Sequence, residues 1–246
     1  MAPGYRRRIL IEPGPGCVTA ELEDDYHRMV VTLRHADGIV TAVASAMKRA
    51  PWTGCPGAMA QLRQTFEGHP LAGFARRGEK TRNCTHLHDL ALFAAAHADE
   101  AAPIAYDIHV TDPIDGARAA RLDRDGATLL HWTLEGDRFT APAALAGRRM
   151  GELGDWIAAQ DRATAEAGRI LRWASMIAQG RGMAMPAGMP ATAWPLGSCF
   201  HFQPEQARDS TRLPGADVDF SAPGRAPLAD RSAAFAHHPI RQDDME

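Results

Sequence analysis

Glu23-Asp-Asp-Tyr-His-Arg-Met-Val-Val-Thr-Leu-Arg-His35 decides the fold. His27, Met29, Val31 and Leu33 alternate with Arg28, Val30, Thr32 and Arg34. Successive strand side chains point to opposite sides, so the first set makes an apolar face, begun by His27, that helices must cover. Upstream, residues 6–13, with Ile9, Leu10 and Ile11, and residues 17–24 read as short strands around the turn Pro13-Gly-Pro-Gly16. In the second of these, Val18, Ala20, Leu22 and Asp24 share one side and Cys17, Thr19, Glu21 and Glu23 the other. Cys17 therefore faces away from the core and belongs to no site. Downstream, Ala36-Asp-Gly38 turns the chain into a further strand, Ile39 to Met47.

Helical signals follow. Proline is favoured at the first helical position because its missing N–H costs nothing there. Pro56 thus places Cys55 at or near the N-cap of a helix running to about Phe66, with Gly68 as its stop. Asn83 is the N-cap candidate for the apolar series Leu87, Leu90, Ala91, Ala94 and Ala98, which puts Cys84 in a first turn. Leu71 to Arg77 is a candidate short helix, and Gly78 to Arg82 a polar loop. After Pro103 the period returns to two: Ile104 to Val110, Ala117 to Arg124, Ala127 to Glu135 and Arg138 to Thr140 read as a second meander. Whether it extends the first sheet or packs beside it, the pattern leaves open. A long helix over about Leu153 to Gln179 comes next, with Trp156 and Trp173 as core residues. Beyond Gly180, proline and glycine break every period. Gly197-Ser-Cys-Phe-His-Phe-Gln-Pro204 reads there as an extended arm anchored by Phe200 and Phe202, with Cys199 and His201 facing the other way. Residues after Ala222, including His237 and His238, read as a mobile tail.

The expected fold class is α+β: an antiparallel β-meander with helices on one face, a second β-meander, a long helix and an extended C-terminal arm. The expected division is a core over 1–102, the second meander with its helix over 103–182, and the arm and tail over 183–246. The 246 residues suit one large domain, at 45% hydrophobic and 23% charged with a formal net charge of −3. That balance carries no electrostatic footprint for nucleic acid. No apolar run reaches membrane-spanning length, and four scattered cysteines do not form a disulfide framework. A cytoplasmic protein with a small-molecule substrate, and no nucleic-acid or membrane partner, is the expectation. No glycine-rich phosphate cradle follows a strand, which argues against a nucleotide.

The candidate site gathers His27, Cys55, Cys84, His86 and the acidic pair Asp24 and Asp25. A helix N-terminus favours thiolate over thiol, which bears on Cys55 and Cys84. Asp25 or Asp24 would orient the His27 ring. His86 and Asp89, three apart, share a helix face and could pair, whereas His88 lies on another face and reads as solvated. Three uses fit. In an enzyme, His27 and His86 serve as acid and base with Cys55 and Cys84 as nucleophile, donor or ligand, for isomerase, lyase or metal-assisted hydrolytic chemistry. In a metal-binding or iron–sulfur scaffold-like protein, Cys55, Cys84, Asp24 (or Asp25) and His27 hold zinc or iron. In a binding module the thiols are inert.

Leu22-Glu-Asp-Asp-Tyr-His27, Arg49-Ala-Pro-Trp52, Cys55-Pro-Gly-Ala58, Asn83-Cys-Thr-His-Leu-His-Asp-Leu-Ala91, Gly197-Ser-Cys-Phe-His-Phe-Gln-Pro204 and Asp219-Phe-Ser221 resemble, over nearly the whole chain, the bacterial family known as domain of unknown function 2889. That resemblance implies no activity. Over residues 17–100, Gly54, Cys55 and Ala58 opening one helix and Cys84 and Leu87 opening the next are similar to the iron–sulfur assembly scaffold proteins, in which three cysteines and an aspartate hold zinc or a nascent cluster. The chain departs from them in lacking a Cys-Gly-Asp at the sheet edge and in carrying Glu23, Asp24, Asp25 and His27 nearby instead. It also adds a meander, a long helix and a tail.

Overall fold

The computed structural model describes residues 2–76 and 79–231. Its strands are β1 (Gly4–Gly14), β2 (Cys17–Asp24), β3 (Arg28–Ala36), β4 (Ile39–Arg49), β5 (Ile104–Thr111), β6 (Ala117–Arg124), β7 (Ala127–Glu135) and β8 (Arg138–Ala141). They hydrogen-bond in the order β4-β3-β2-β1-β5-β6-β7-β8, so the second meander continues the first sheet rather than starting another. The Asp-Gly turns do what their residues allow. Asp37 and Gly38 both take positive φ, as do Asp125 and Gly126, the conformation that closes a two-residue hairpin without splaying its strands.

Two compact units divide the chain. Among the described residues, one comprises 2–8, 105–184 and 219–227; the other comprises 9–76, 79–104, 185–218 and 228–231.

In the unit built on the first meander, α1 (Ala58–Phe66) packs on β4, and α2 (Thr85–Ala96) lies over β2 and β3. Beneath α2, Val18, Ala20, Leu22, Met29, Val31 and Leu33 are fully buried, as their alternation requires. The stretch from Glu23 to His35 is not one strand, however. It turns at residues 25–27, and the hairpin closes where Asp24 N–H donates to the His27 carbonyl at 2.9 Å. Pairing then runs from Glu23 opposite Arg28 back to Cys17 opposite Arg34. The reverse side of β2 is also covered: Glu21 and Glu23 are buried in ion pairs with Arg28, Lys48 and Arg49. Residues 228–231 close over that side, with Leu228 N–H on Glu23 at 2.7 Å and Asp230 on Arg28 at 2.8 Å. The tail is therefore anchored as far as Arg231, which pairs with Glu12 and Glu21. His237 and His238 lie outside the described residues.

In the other unit the long helix is two. α3 (Leu153–Ala158) ends before Asp161, whose carboxylate accepts the N–H groups of Ala163 and Thr164 and starts α4 (Arg162–Ile177). A side chain on Gly168 would lie 3.1 Å from Ile157, so the glycine is where α4 admits α3. Trp132 is buried against Phe139 and Trp156, while Trp173 carries the Arg7 guanidinium 3.9 Å above its ring.

Candidate functional site

Asp24 ends β2 and His27 precedes β3, so the hairpin turn sets their mutual geometry. Asp24 is 0% exposed. One of its oxygens, Oδ1, accepts the backbone N–H groups of Tyr26 and His27, both at 2.8 Å, and lies 3.1 Å from Nδ1 of His27. An ionised carboxylate accepts and does not donate, so with Asp24 ionised this contact favours the tautomer that carries the proton on Nδ1 and the lone pair on Nε2. Asp24 is thus the carboxylate that engages the His27 ring. Asp25 turns its carbonyl to Arg49 and to Val218 N–H.

Arg49, at the end of β4, braces the turn. Its guanidinium donates to the carbonyls of Asp24 (2.5 Å), Asp25 (2.9 Å), Ala216 (3.1 Å) and His27 (3.4 Å), and to a Glu23 carboxylate oxygen at 3.3 Å. A planar fork with five donors suits such a cluster of oxygens, as a lysine would not. In the sequence Arg49 lies beyond the strand expected over Ile39 to Met47, whereas β4 runs on to it, and nothing local marks its role.

His86 comes from the first turn of α2. Its ring stacks on His27, with centroids 3.8 Å apart and planes 29° from parallel. Asp24, His27 and His86 are the one set among the described residues in which three potential metal-donor atoms lie within 4.8 Å of one another. Asp89 is not the partner of His86: it accepts from Lys80 at 2.6 Å and lies 3.8 Å from the His88 ring. His88 is not solvated either. It is buried beside Phe66, because α2 is covered on more of its circumference than a single apolar stripe.

The cysteines lie outside that set. Cys84, not Asn83, is the N-cap of α2, while the Asn83 side chain bonds Thr65 and the Glu79 carbonyl. Cys55 opens the 3-10 turn Cys55–Gly57 that precedes α1. Cys199 caps another such turn, Phe200–Phe202, so the arm is not extended there and alternation does not govern which way its side chains face. Burial dominates all three thiols. It pushes Cys84 up to about 12 and raises Cys55 and Cys199, with Cys84 and Cys199 adding repulsion at Cys55. The expected thiolates at helix mouths are therefore thiols, since removal from water outweighs the helix-end field. His201, expected on the side of the arm opposite Phe200 and Phe202, stacks on Trp52 with centroids 5.3 Å apart. Cys17 is half-buried.

No protein-family model matches the chain, and no curated protein matches it. Among the described residues no helix is long and apolar enough to cross a membrane.

Proposed function

We propose that the protein is a small-molecule enzyme that moves a proton, in the manner of an isomerase or lyase, with His27 as its base. The observation that carries this reading is the sealed carboxylate of Asp24 at 3.1 Å from His27 Nδ1. A buried carboxylate behind an imidazole fixes the tautomer and stabilises the imidazolium formed when Nε2 takes a proton. His86, flat against that ring, supplies the neighbouring imidazole for returning the proton on another atom of the substrate. Cys55 and Cys84, protonated at neutral pH, are donors at most in this chemistry and not nucleophiles.

The test is a solvent-exchange screen. A panel of small ketones, aldehydes and 2-oxo acids is incubated with the protein in D2O, and loss of carbon-bound proton signals is followed by NMR. Exchange with at least one compound class, falling about 100-fold or more in His27→Gln, is expected. No exchange above the buffer rate across the panel, or exchange undiminished in His27→Gln, rejects the reading.

A second reading is favoured by the convergence of Asp24, His27 and His86 donor atoms within 4.8 Å. Two imidazoles and a carboxylate suit zinc or iron with coordination positions left for substrate. Metal analysis of protein purified without added metal separates the two: stoichiometric zinc or iron that is lost in His86→Ala supports the metal form.

A further inference from the structure

The turn between β2 and β3 is held from two sides. On one, Asp24 Oδ1 takes the N–H groups of Tyr26 and His27 and meets the His27 ring at 3.1 Å. On the other, the carbonyls of Asp24, Asp25 and His27 converge on the guanidinium of Arg49. Carbonyl oxygens carry partial negative charge and repel one another, so their convergence depends on the cation among them. The Arg49 side chain is 16% exposed, and a Glu23 carboxylate oxygen at 3.3 Å balances its charge. Glu23 is itself fixed, because its other oxygen accepts Leu228 N–H.

The same guanidinium reaches the C-terminal arm. Nη1 of Arg49 donates to the Asp25 carbonyl at 2.9 Å and to the Ala216 carbonyl at 3.1 Å, so one nitrogen joins the turn to the arm. A second tie runs the opposite way, from Val218 N–H to the Asp25 carbonyl at 2.7 Å. The arm arrives there by pairing with the chain just beyond Arg49. Thr53 N–H bonds the Thr211 carbonyl, Leu213 N–H bonds the Pro51 carbonyl, and Trp52 bridges to Arg212. The end of β4, the hairpin turn and the arm thus meet at Arg49, although Ala216 lies 167 positions further along the chain.

We propose that Arg49 is a positioning residue for His27, and that through it the docking of arm residues 216–218 sets the contact between Asp24 and the His27 ring. Asp24 and His27 are three residues apart, so rotation of the peptides between them moves carboxylate and ring relative to one another. Arg49 opposes that rotation at three carbonyls of the turn. A planar fork meets carbonyls in several fixed directions at once, whereas an ammonium supplies the charge without the directions. The coupling is reciprocal: loosening the arm from Arg49 loosens the turn, and a turn that grips the ring favours the docked arm. As regulation this rests on the proton-transfer reading of His27, but the ring geometry it concerns is present without turnover.

The test reads the His27 ring in the metal-free full chain by long-range proton–nitrogen NMR, assigned by its loss in His27→Gln. Two variants are compared with wild type. Arg49→Lys keeps the charge and removes the fork; Val218→Pro leaves Arg49 in place and deletes the arm's N–H to Asp25. Both should move the ring proton from Nδ1 toward Nε2, Arg49→Lys by more. Exchange in the D2O screen should fall on the order of 10-fold or more in Arg49→Lys. Cooperative urea unfolding confirms that each variant is folded, and should Arg49→Lys fail to fold, Val218→Pro decides. A wild-type ring signature in folded Arg49→Lys overturns the positioning role, and one in folded Val218→Pro overturns the link to the arm. Ring shifts in both variants, with no exchange by the wild type, reject the proton-transfer reading and leave Arg49 as the residue that sets the ring.

Discussion

The first turn of α2 serves two neighbourhoods of opposite character. His86 faces the hairpin turn, where Asp24 accepts three N–H groups on one oxygen and Arg49 holds four carbonyls. Cys84, two residues earlier, is governed by burial, as Cys55 and Cys199 are, and burial outweighs the backbone N–H groups that each thiol meets. Both regions are shielded from solvent, yet one is built around a carboxylate and the other around neutral thiols. Burial alone therefore does not make a reactive group; the donors and acceptors buried with it do.

The largest contrast is in thiol reactivity. A Cys84 thiol at about 12, against an ordinary 9.0, leaves on the order of 1000-fold less thiolate at pH 8. Iodoacetamide should therefore label native Cys84 at least that much more slowly than the unfolded chain, and labelling at comparable rates would break the comparison. Next comes Asp24→Ala, which strands buried N–H donors and should cost about 3 kcal/mol in urea unfolding. A loss under 1 kcal/mol would mean that the carboxylate does not organise the turn.

His201 provides the sign test. Burial lowers it from 6.5 to about 4, so between those values the unfolded chain binds a proton that the folded one does not. Metal-free protein should gain stability as pH rises from 4 to 6.5, and lose it on acidification through that window, by about 2 kcal/mol in all. His201→Phe should flatten that rise while keeping the stack on Trp52. An unchanged pH profile in the variant would assign the slope elsewhere. Cys17→Ser marks the baseline: it should change stability by less than about 0.5 kcal/mol.

Period-two alternation made the strands of both meanders legible, and Asp-Gly pairs marked their turns, because both signals are local. The break at Asp161 was legible in principle, since aspartate is a good N-cap, but the apolar residues on either side of it fit one continuous helix. Asp24, His27 and His86 could be nominated from the sequence. That Asp24 rather than Asp25 engages the ring could not, because the choice depends on a turn within what alternation reads as a single strand. Arg49 and His201 owe their surroundings to residues more than a hundred positions away, such as Ala216 for one and Trp52 for the other. The burial of His88 and the protonated state of the thiols likewise depend on the packing around α2, which no residue spacing encodes.

The proton-transfer account depends most directly on the tautomer of His27. A long-range proton–nitrogen NMR correlation of its ring in metal-free protein at neutral pH should find the proton on Nδ1 and a bare Nε2, with Asp24→Ala abolishing the preference. A proton on Nε2, or a ring indifferent to the loss of Asp24, would contradict it.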